Sequence, residues 1–287
     1  MICMKKILIT GANGQLGSEI SFLSKEYDHQ FHFTDYEELD ITNCEEIEIF
    51  VEKHNIDFIV NCAAYTAVDR AESDYITSDN VNFLAVKNLL STSSKYKLPL
   101  IHISTDYVFD GKGYKPYATD DSRNPINVYG LTKKKGEDLI LKSDLDNLML
   151  IRTSWVYSDI GNNFVKTMLR LGAEKESIKV IEDQVGTPTY ARDLAKFILD
   201  SIPKINWNGV KIFHFTNEGV CSWFDFAKAI MEIKGYNCKV LPISTEDYPT
   251  PAKRPNYSVL DKRETRSFYE KEIPYWRDSL EKCLKLL

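Results

Sequence analysis

Tyr129 and Lys133 stand four apart in NVYGLTKKKGE, a spacing that puts a phenol and an ammonium on one face of a helix. A phenol, whose ordinary pKa is about 10, exchanges protons poorly at neutral pH. A neighbouring cation stabilises the phenolate and brings the group closer to its working range. Such a pair can give a proton to a ketone oxygen while a hydride reaches the carbon. Y-x-x-x-K alone also describes many amphipathic helix surfaces, so its surroundings decide its meaning. Upstream, an apolar β-rich run ends in Ser104-Thr105-Asp106-Tyr107, and the Thr105 hydroxyl is suited to hydrogen-bond the reacting oxygen.

A hydride source is written at the start of the chain. TGANGQLG follows the first apolar run, with Gly11, Gly14 and Gly17 leading into a helix across Gln15 and Leu16. Glycines there permit a tight turn and bring a pyrophosphate close to free N–H groups at a helix N-terminus. Alone, the triplet also fits a tight strand-helix turn. Asp35 ends the second β-rich run, 18 residues after Gly17, where a carboxylate can accept bonds from the adenosine ribose hydroxyls and repel a 2′-phosphate. The reading leans to NADH over NADPH; a rotated side chain would leave both open, and a solvated strand-end acid is the plainer alternative. Asp40-Ile41 can flank an adenine. The small residues of Asn61-Cys62-Ala63-Ala64 let the backbone approach a flat ligand or simply pack closely.

The elements that must hold these residues follow from periodicity. KKILIT, QFHFTD, DFIVNCA, LPLIHIST and LMLIRTS read as five strands, with helices starting near Gln15, Asn43, Ser78 and Asn127. Strictly alternating strands and helices predict an α/β fold, a Rossmann-like doubly wound parallel sheet with right-handed crossovers. After Trp155 the pattern loosens: a helix around FVKTMLRLGA, a strand-like KIFHFT and a helix-like SWFDFAKAIMEIKG suggest the last sheet strands interleaved with a smaller C-terminal α/β substrate lobe. The expected division is a dinucleotide-binding domain over 1–157, with later strands returning from about 178–215, and a mainly substrate-binding lobe over 158–287. Pro242, Pro249, Pro251 and Pro255 mark an irregular, loop-like stretch.

Composition removes other classes. At 287 residues with 43% hydrophobic and 27% charged residues, the chain can bury a large core. A net charge of -6 argues against a nucleic-acid binder. No apolar run approaches the roughly 18–20 residues that cross a bilayer, and MICMKKILITG reads as a strand, not a signal peptide, so no membrane partner and a cytoplasmic location are expected. Cys3, Cys44, Cys62, Cys221, Cys238 and Cys283 show no C-x-x-C or histidine cluster, which argues against zinc or a disulfide framework.

In this order of motifs the chain resembles the extended short-chain dehydrogenase/reductases and, within them, the branch that reduces 4-keto sugars carried on dTDP. TGANGQLG, VNCAAYTAVDRAES, STDYVFDG, NVYGLTKKKGE, IRTSWVY, GNNFVKTMLRL, DQVGTPT and RPNYSVLD carry the likeness almost end to end. The resemblance implies reduction of dTDP-4-dehydro-β-L-rhamnose to dTDP-L-rhamnose, a supply step for surface polysaccharide, with NADH or NADPH. It implies that Gly14, Gln15, Leu16, Asp35, Asp40, Ile41, Ala64, Tyr65, Thr66 and Ile103 touch the cofactor. Tyr129 would be the proton donor and Lys133 would hold the nicotinamide ribose. Thr105 and Asp106 would meet the sugar, while Trp155, Asn163 and Arg254 would frame its pocket. Chemically, Arg254 suits a diphosphate and Trp155 an apolar wall; equally, Arg254 could be a surface ion-pair partner and Trp155 plain core.

One departure stands out. Some relatives bridge subunits through a metal on acidic side chains; Glu19 matches one such position, but Arg192 stands where those relatives have Glu. No metal is therefore expected, and the assembly reads as a monomer or weak homodimer. Dehydratases of similar outline carry an acid directly after Thr-Asp, where this chain has Tyr107, and STDYVFDG with RTSWVY disfavours a 4-epimerase. The alternative from another class is a regulatory chain like the partner of methionine adenosyltransferase.

Overall fold

In the computed structural model, which describes residues 4–287, the chain runs β1 (Lys6–Thr10), α1 (Gln15–Leu23), β2 (Gln30–Thr34), α2 (Cys44–His54), β3 (Phe58–Asn61), α3 (Val68–Ala71) and α4 (Tyr75–Asp79). A π-helical segment, Asn80–Leu84, leads into α5 (Ala85–Tyr96), β4 (Leu100–Thr105), α6 (Val128–Leu141), β5 (Leu148–Thr153), β6 (Val156–Tyr157) and α7 (Phe164–Glu174). Then come β7 (Ser177–Ile181), β8 (Val185–Gly186), β9 (Thr189–Tyr190), α8 (Ala191–Ser201) and β10 (Val210–His214). β11 (Cys221–Ser222), α9 (Trp223–Lys234), β12 (Lys239–Ile243), α10 (Arg263–Tyr269) and α11 (Trp276–Leu284) close the chain.

All five strands expected before Trp155 lie in one six-stranded sheet, ordered β10-β5-β4-β3-β1-β2, with every neighbouring pair parallel. Alternate strand residues feed opposite faces. Ile7, Ile9, Phe58, Val60, Met149 and Ile151 pack with α1 and α8, whereas Leu8, Ile59, Leu148 and Leu150 pack with α2 and α5. Both faces are thus covered by helices, as in a doubly wound sheet. The order reverses at β1, between β2 and β3, so a crevice opens beyond the carboxyl ends of β1 and β3.

Side chains written in the sequence set several helix starts. Asn43 accepts bonds from Glu45 and Glu46 N–H, and Asn127 accepts from Gly130 N–H at 2.8 Å. Ser222 and Asp225 form a reciprocal capping box before α9, which ends at Gly235. The helix expected from Ser78 starts earlier, at Tyr75, and passes through the π-helical segment before α5.

Two expectations are corrected. Of the 178–215 segment, β10 returns to the main sheet, but β7 pairs with β12 in a separate two-stranded sheet. Its residues alternate between exposed and buried, which suits a ribbon with one wet face better than a strand covered on both sides. Pro242 lies within β12 instead of in a loop, tolerated because a two-stranded sheet leaves each strand an edge.

A second core gathers Tyr157, Val165, Phe226, Ile230, Trp276 and Leu280 from β6, α7, α9 and α11. Cys44, Cys62, Cys221, Cys238 and Cys283 are free thiols, and Cys3 lies outside the described residues. Among the described residues no helix is long and apolar enough to cross a membrane.

Candidate active site

Gly11 turns the chain out of β1 with φ +66°, and a Cβ there would lie 2.6 Å from the Ala63 nitrogen. The end of β1 therefore sits against the end of β3, a closeness that only glycine permits. Gly14 begins α1 without a side-chain cap, so the first-turn N–H groups are left for a ligand. Asp35 is bound into this turn: its carboxylate accepts from Asn13 N–H at 2.9 Å and from Tyr36 N–H at 2.8 Å.

α6 reaches the same crevice from the other side. A Cβ at Gly130 would lie 2.2 Å from the Tyr107 carbonyl oxygen, so this glycine lets α6 dock directly on the turn after β4. Thr132 meets Ser78 Oγ at 2.9 Å, and Asn82 of the π-helical segment donates to the same hydroxyl. Asn82 also accepts from Tyr65 N–H and donates to Tyr65 O, pinning the loop after β3. Held this way, Tyr129 and Lys133 face the glycine turn across one cleft of about 480 Å³.

Most residues singled out from the sequence line that cleft: Gly11, Gly14, Gln15, Leu16, Gly17, Ala64, Thr66, Ile103, Thr105, Asp106, Tyr129, Lys133, Trp155 and Asn163. Six do not. Ala63 backs the turn of Gly11, Asp35 and Asp40 brace loops, and Ile41 is core. Tyr65 donates its hydroxyl to Asp74. Arg254 makes a two-pronged ion pair with Asp69, at 3.0 and 2.7 Å.

The polar geometry is specific. Lys133 Nζ donates to the Ile103 carbonyl at 2.7 Å and lies 3.4 Å from His102 Nε2. Burial pushes the Lys133 ammonium down to about 8, with Glu137 pulling the other way. Burial pushes the Tyr129 phenol up to about 12, restrained by hydrogen bonding to Thr105. The sequence reading has Lys133 lowering this phenol; in the free protein burial raises it instead, and Lys133 donates to Ile103. Thr105 donates to Asp106 Oδ1 at 3.0 Å and accepts from Tyr107 N–H.

Asp106 is 2% exposed, and burial raises its carboxyl to about 7. The unfolded carboxyl titrates near about 4, so between these values the folded chain holds a proton that the unfolded chain has lost. Its contribution favours folding at the acid end of that window and is lost as pH rises through 7. Asp106→Asn does not titrate. Its stability relative to the parent should rise by about 2–3 kcal/mol from pH 5 to pH 8, read from denaturant midpoints at the two values; a pH-independent difference would contradict the buried-acid assignment.

The far wall was only partly visible from sequence. Trp155 adopts φ +49°, a left-handed conformation rare for a large side chain, and stacks on Trp223 with centroids 3.6 Å apart and planes 11° from parallel. Trp223, Phe164 and Phe226 line the cleft and were not singled out, because the helix-periodic SWFDF and FVKTMLRLGA read simply as core faces. Asn163 donates to Gln15 Oε1 at 2.9 Å and to Ser158 O at 2.7 Å, latching α7 to α1. Nearby, Arg192 Nε lies 2.7 Å from a Glu19 carboxylate oxygen, so the cation expected to repel a metal holds that acid itself.

Comparison with known proteins extends along the whole chain. The family model described as RmlD substrate binding domain matches residues 4–287. The spore coat polysaccharide biosynthesis protein SpsK of Bacillus subtilis is 37% identical, over 98% of each chain. A crystal structure of a dTDP-4-dehydrorhamnose reductase from Clostridium acetobutylicum is 42% identical with TM-score 0.92, covering 98% of this chain and 99% of that one. The dTDP-4-dehydrorhamnose reductase of Bacillus anthracis, solved in complex with NADP, is 37% identical with TM-score 0.94, over 99% and 100% of the two chains.

Proposed function

The chain belongs to the RmlD substrate binding domain family, and we propose that it is an NAD(P)H-dependent ketoreductase that converts dTDP-4-dehydro-β-L-rhamnose to dTDP-L-rhamnose. The observation that carries this reading is the meeting of Thr105, Tyr129 and Lys133 with the Gly11–Gly17 turn in one cleft. The names of the relatives supply the sugar. A reduced nicotinamide dinucleotide, when bound, supplies the hydride for C4 of the sugar.

The residues divide the remaining work. The turn over Gly11, Gly14 and Gly17, with Gln15 and Leu16 at the start of α1, suits a pyrophosphate. Asp35, Asp40, Ile41 and Ala63–Thr66 would serve the adenosine side, and Lys133 with Ile103 the nicotinamide ribose. Tyr129 gives its proton to O4. That phenol is a weak acid, yet the alkoxide formed by hydride delivery is a much stronger base, so the transfer runs downhill. Thr105 and Asp106 hold the sugar near O4, and Trp155 and Asn163 wall the pocket. Arg254 would have to exchange Asp69 for the diphosphate. Residues 1–157 with β10 would form the dinucleotide-binding part, and 158–287 mainly the substrate lobe.

Asp35 favours NADH, since its carboxylate beside the turn would repel a 2′-phosphate. The Arg192–Glu19 pair supports a protein without a bridging metal, and we read the chain as a monomer or weak homodimer acting in the cytoplasm. The test is to mix the purified protein alone with each reduced cofactor and a panel of 4-keto nucleotide sugars, following loss of reduced nicotinamide. Turnover is expected with the dTDP-linked 4-keto-6-deoxy sugar, faster with NADH. No turnover with any pair would overturn the enzyme reading in favour of a regulatory chain, and faster turnover with NADPH would overturn the role given to Asp35.

A further inference from the structure

Behind Lys133 runs a buried polar chain that the reduction scheme does not use: Thr10 on β1, Asn61 on β3 and His102 on β4. Its proton positions follow from its donors. Asn61 Oδ1 accepts from Ala63 N–H at 3.1 Å and from the Thr10 hydroxyl at 2.7 Å. A backbone N–H can only donate, so the amide oxygen is fixed on that side and the amide nitrogen faces His102 Nδ1, 3.0 Å away. That nitrogen also only donates. Nδ1 must therefore offer a lone pair, which leaves the single proton of a neutral ring on Nε2, pointing at Lys133 Nζ 3.4 Å away.

We propose that His102 is a positioning residue: Asn61 and Ala63 lock it in the Nε2–H form, so it turns a donor toward Lys133 and disfavours the ammonium in the free protein. Burial keeps the ring neutral, holding its pKa well below the ordinary histidine value. The other groups around Lys133 leave this effect room. On α6, Tyr129 is a neutral phenol, and the Glu137 carboxylate is taken up by Arg152 of β5 and by Arg123. On β4, Ile103 offers one carbonyl, while Asp106 beyond it is bonded to Thr105. Lys133, lowered to about 8 by burial, then sits where it can gain and lose a proton and restore that of Tyr129 after each turnover. This last consequence rests on the proposed reductase reading; the tautomer does not.

The two are separated by measurement on the free protein. Ring 15N spectra of wild-type protein should show His102 protonated at Nε2 and bare at Nδ1. A ring protonated at Nδ1, or at both nitrogens, overturns the proposal whatever the activity assay gives. Asn61→Asp presents a carboxylate to Nδ1, which should move the proton there and free Nε2 to accept from the ammonium. The Lys133 ionisation, followed by its ε-carbon shift, should then rise by about one pH unit, tenfold in proton affinity, with the same displacement in the kcat/KM pH profile. Asn61→Asp/His102→Leu keeps the new charge without the ring. A rise as large in that double variant as in Asn61→Asp would assign the shift to charge alone and overturn the proposal.

Discussion

Tyr129→Phe should lower kcat by roughly 10²- to 10⁴-fold, the range attributable to a positioned general acid, while changing KM little. Phenylalanine keeps the buried ring and its edge-to-face contact with Tyr107, now at 5.5 Å between centroids, and removes only the hydroxyl. The loss therefore falls on the transition state, where a proton must reach the developing alkoxide, and not on ground-state binding. Because burial lifts the phenol to about 12, the parent keeps its proton throughout the neutral range. The phenol's own ionisation should accordingly add no step to the ratio of parent to variant rate between pH 6 and pH 9, and a step near pH 8 belongs to Lys133. Steady-state kinetics across that range checks both statements. Near-normal turnover would remove Tyr129 as proton donor, and a large rise in KM at unchanged kcat would make it a binding residue instead.

What could be read from sequence was local. Tyr129 and Lys133 lie one helical turn apart, the glycines of the turn lie within seven residues, and Asn43 and Asn127 cap helices that begin at the next residue. In each case the physical partner is a few residues away. The sheet was legible for the same reason, since two-residue alternation in β1 and β5 says which side chains face each core. Partners distant in sequence were not legible. Arg254 looked equally suited to a diphosphate or to an ion pair, and its partner Asp69 lies 185 residues earlier. His102 interrupts the apolar run LIHIS, a visible signal that something polar meets that strand, but nothing local points to Asn61 or Lys133. Trp155 was named as a pocket wall or core, whereas its left-handed backbone and its stack on Trp223 of α9 depend on a partner far along the chain.

The largest stability effect should come from a residue that touches no ligand. Arg152, 1% exposed on β5, donates from Nε and Nη2 to the fully buried Glu137 of α6 at 2.9 and 2.8 Å. It also bonds Thr119 O at 2.9 Å and lies 3.2 Å from His214 Nε2 on β10. His214, pushed down to about 3 by burial and by Arg152, stays neutral and can accept. One guanidinium thus fixes the depth at which α6, and with it Tyr129 and Lys133, rests on the sheet. Arg152→Met fills a similar volume but strips Glu137 of its two-pronged partner, leaving only Arg123, which is partly exposed. Breaking one side of a buried pair costs about 3–5 kcal/mol, on the order of 10 °C in melting temperature for a chain of this size. Arg152→Met/Glu137→Leu removes both charges, and replacing a buried pair by apolar residues is often close to neutral. The double variant should therefore recover most of the loss in a denaturant titration. If it is as unstable as Arg152→Met, the damage comes from Thr119 and His214 losing their partner, and the depth of α6 is set elsewhere.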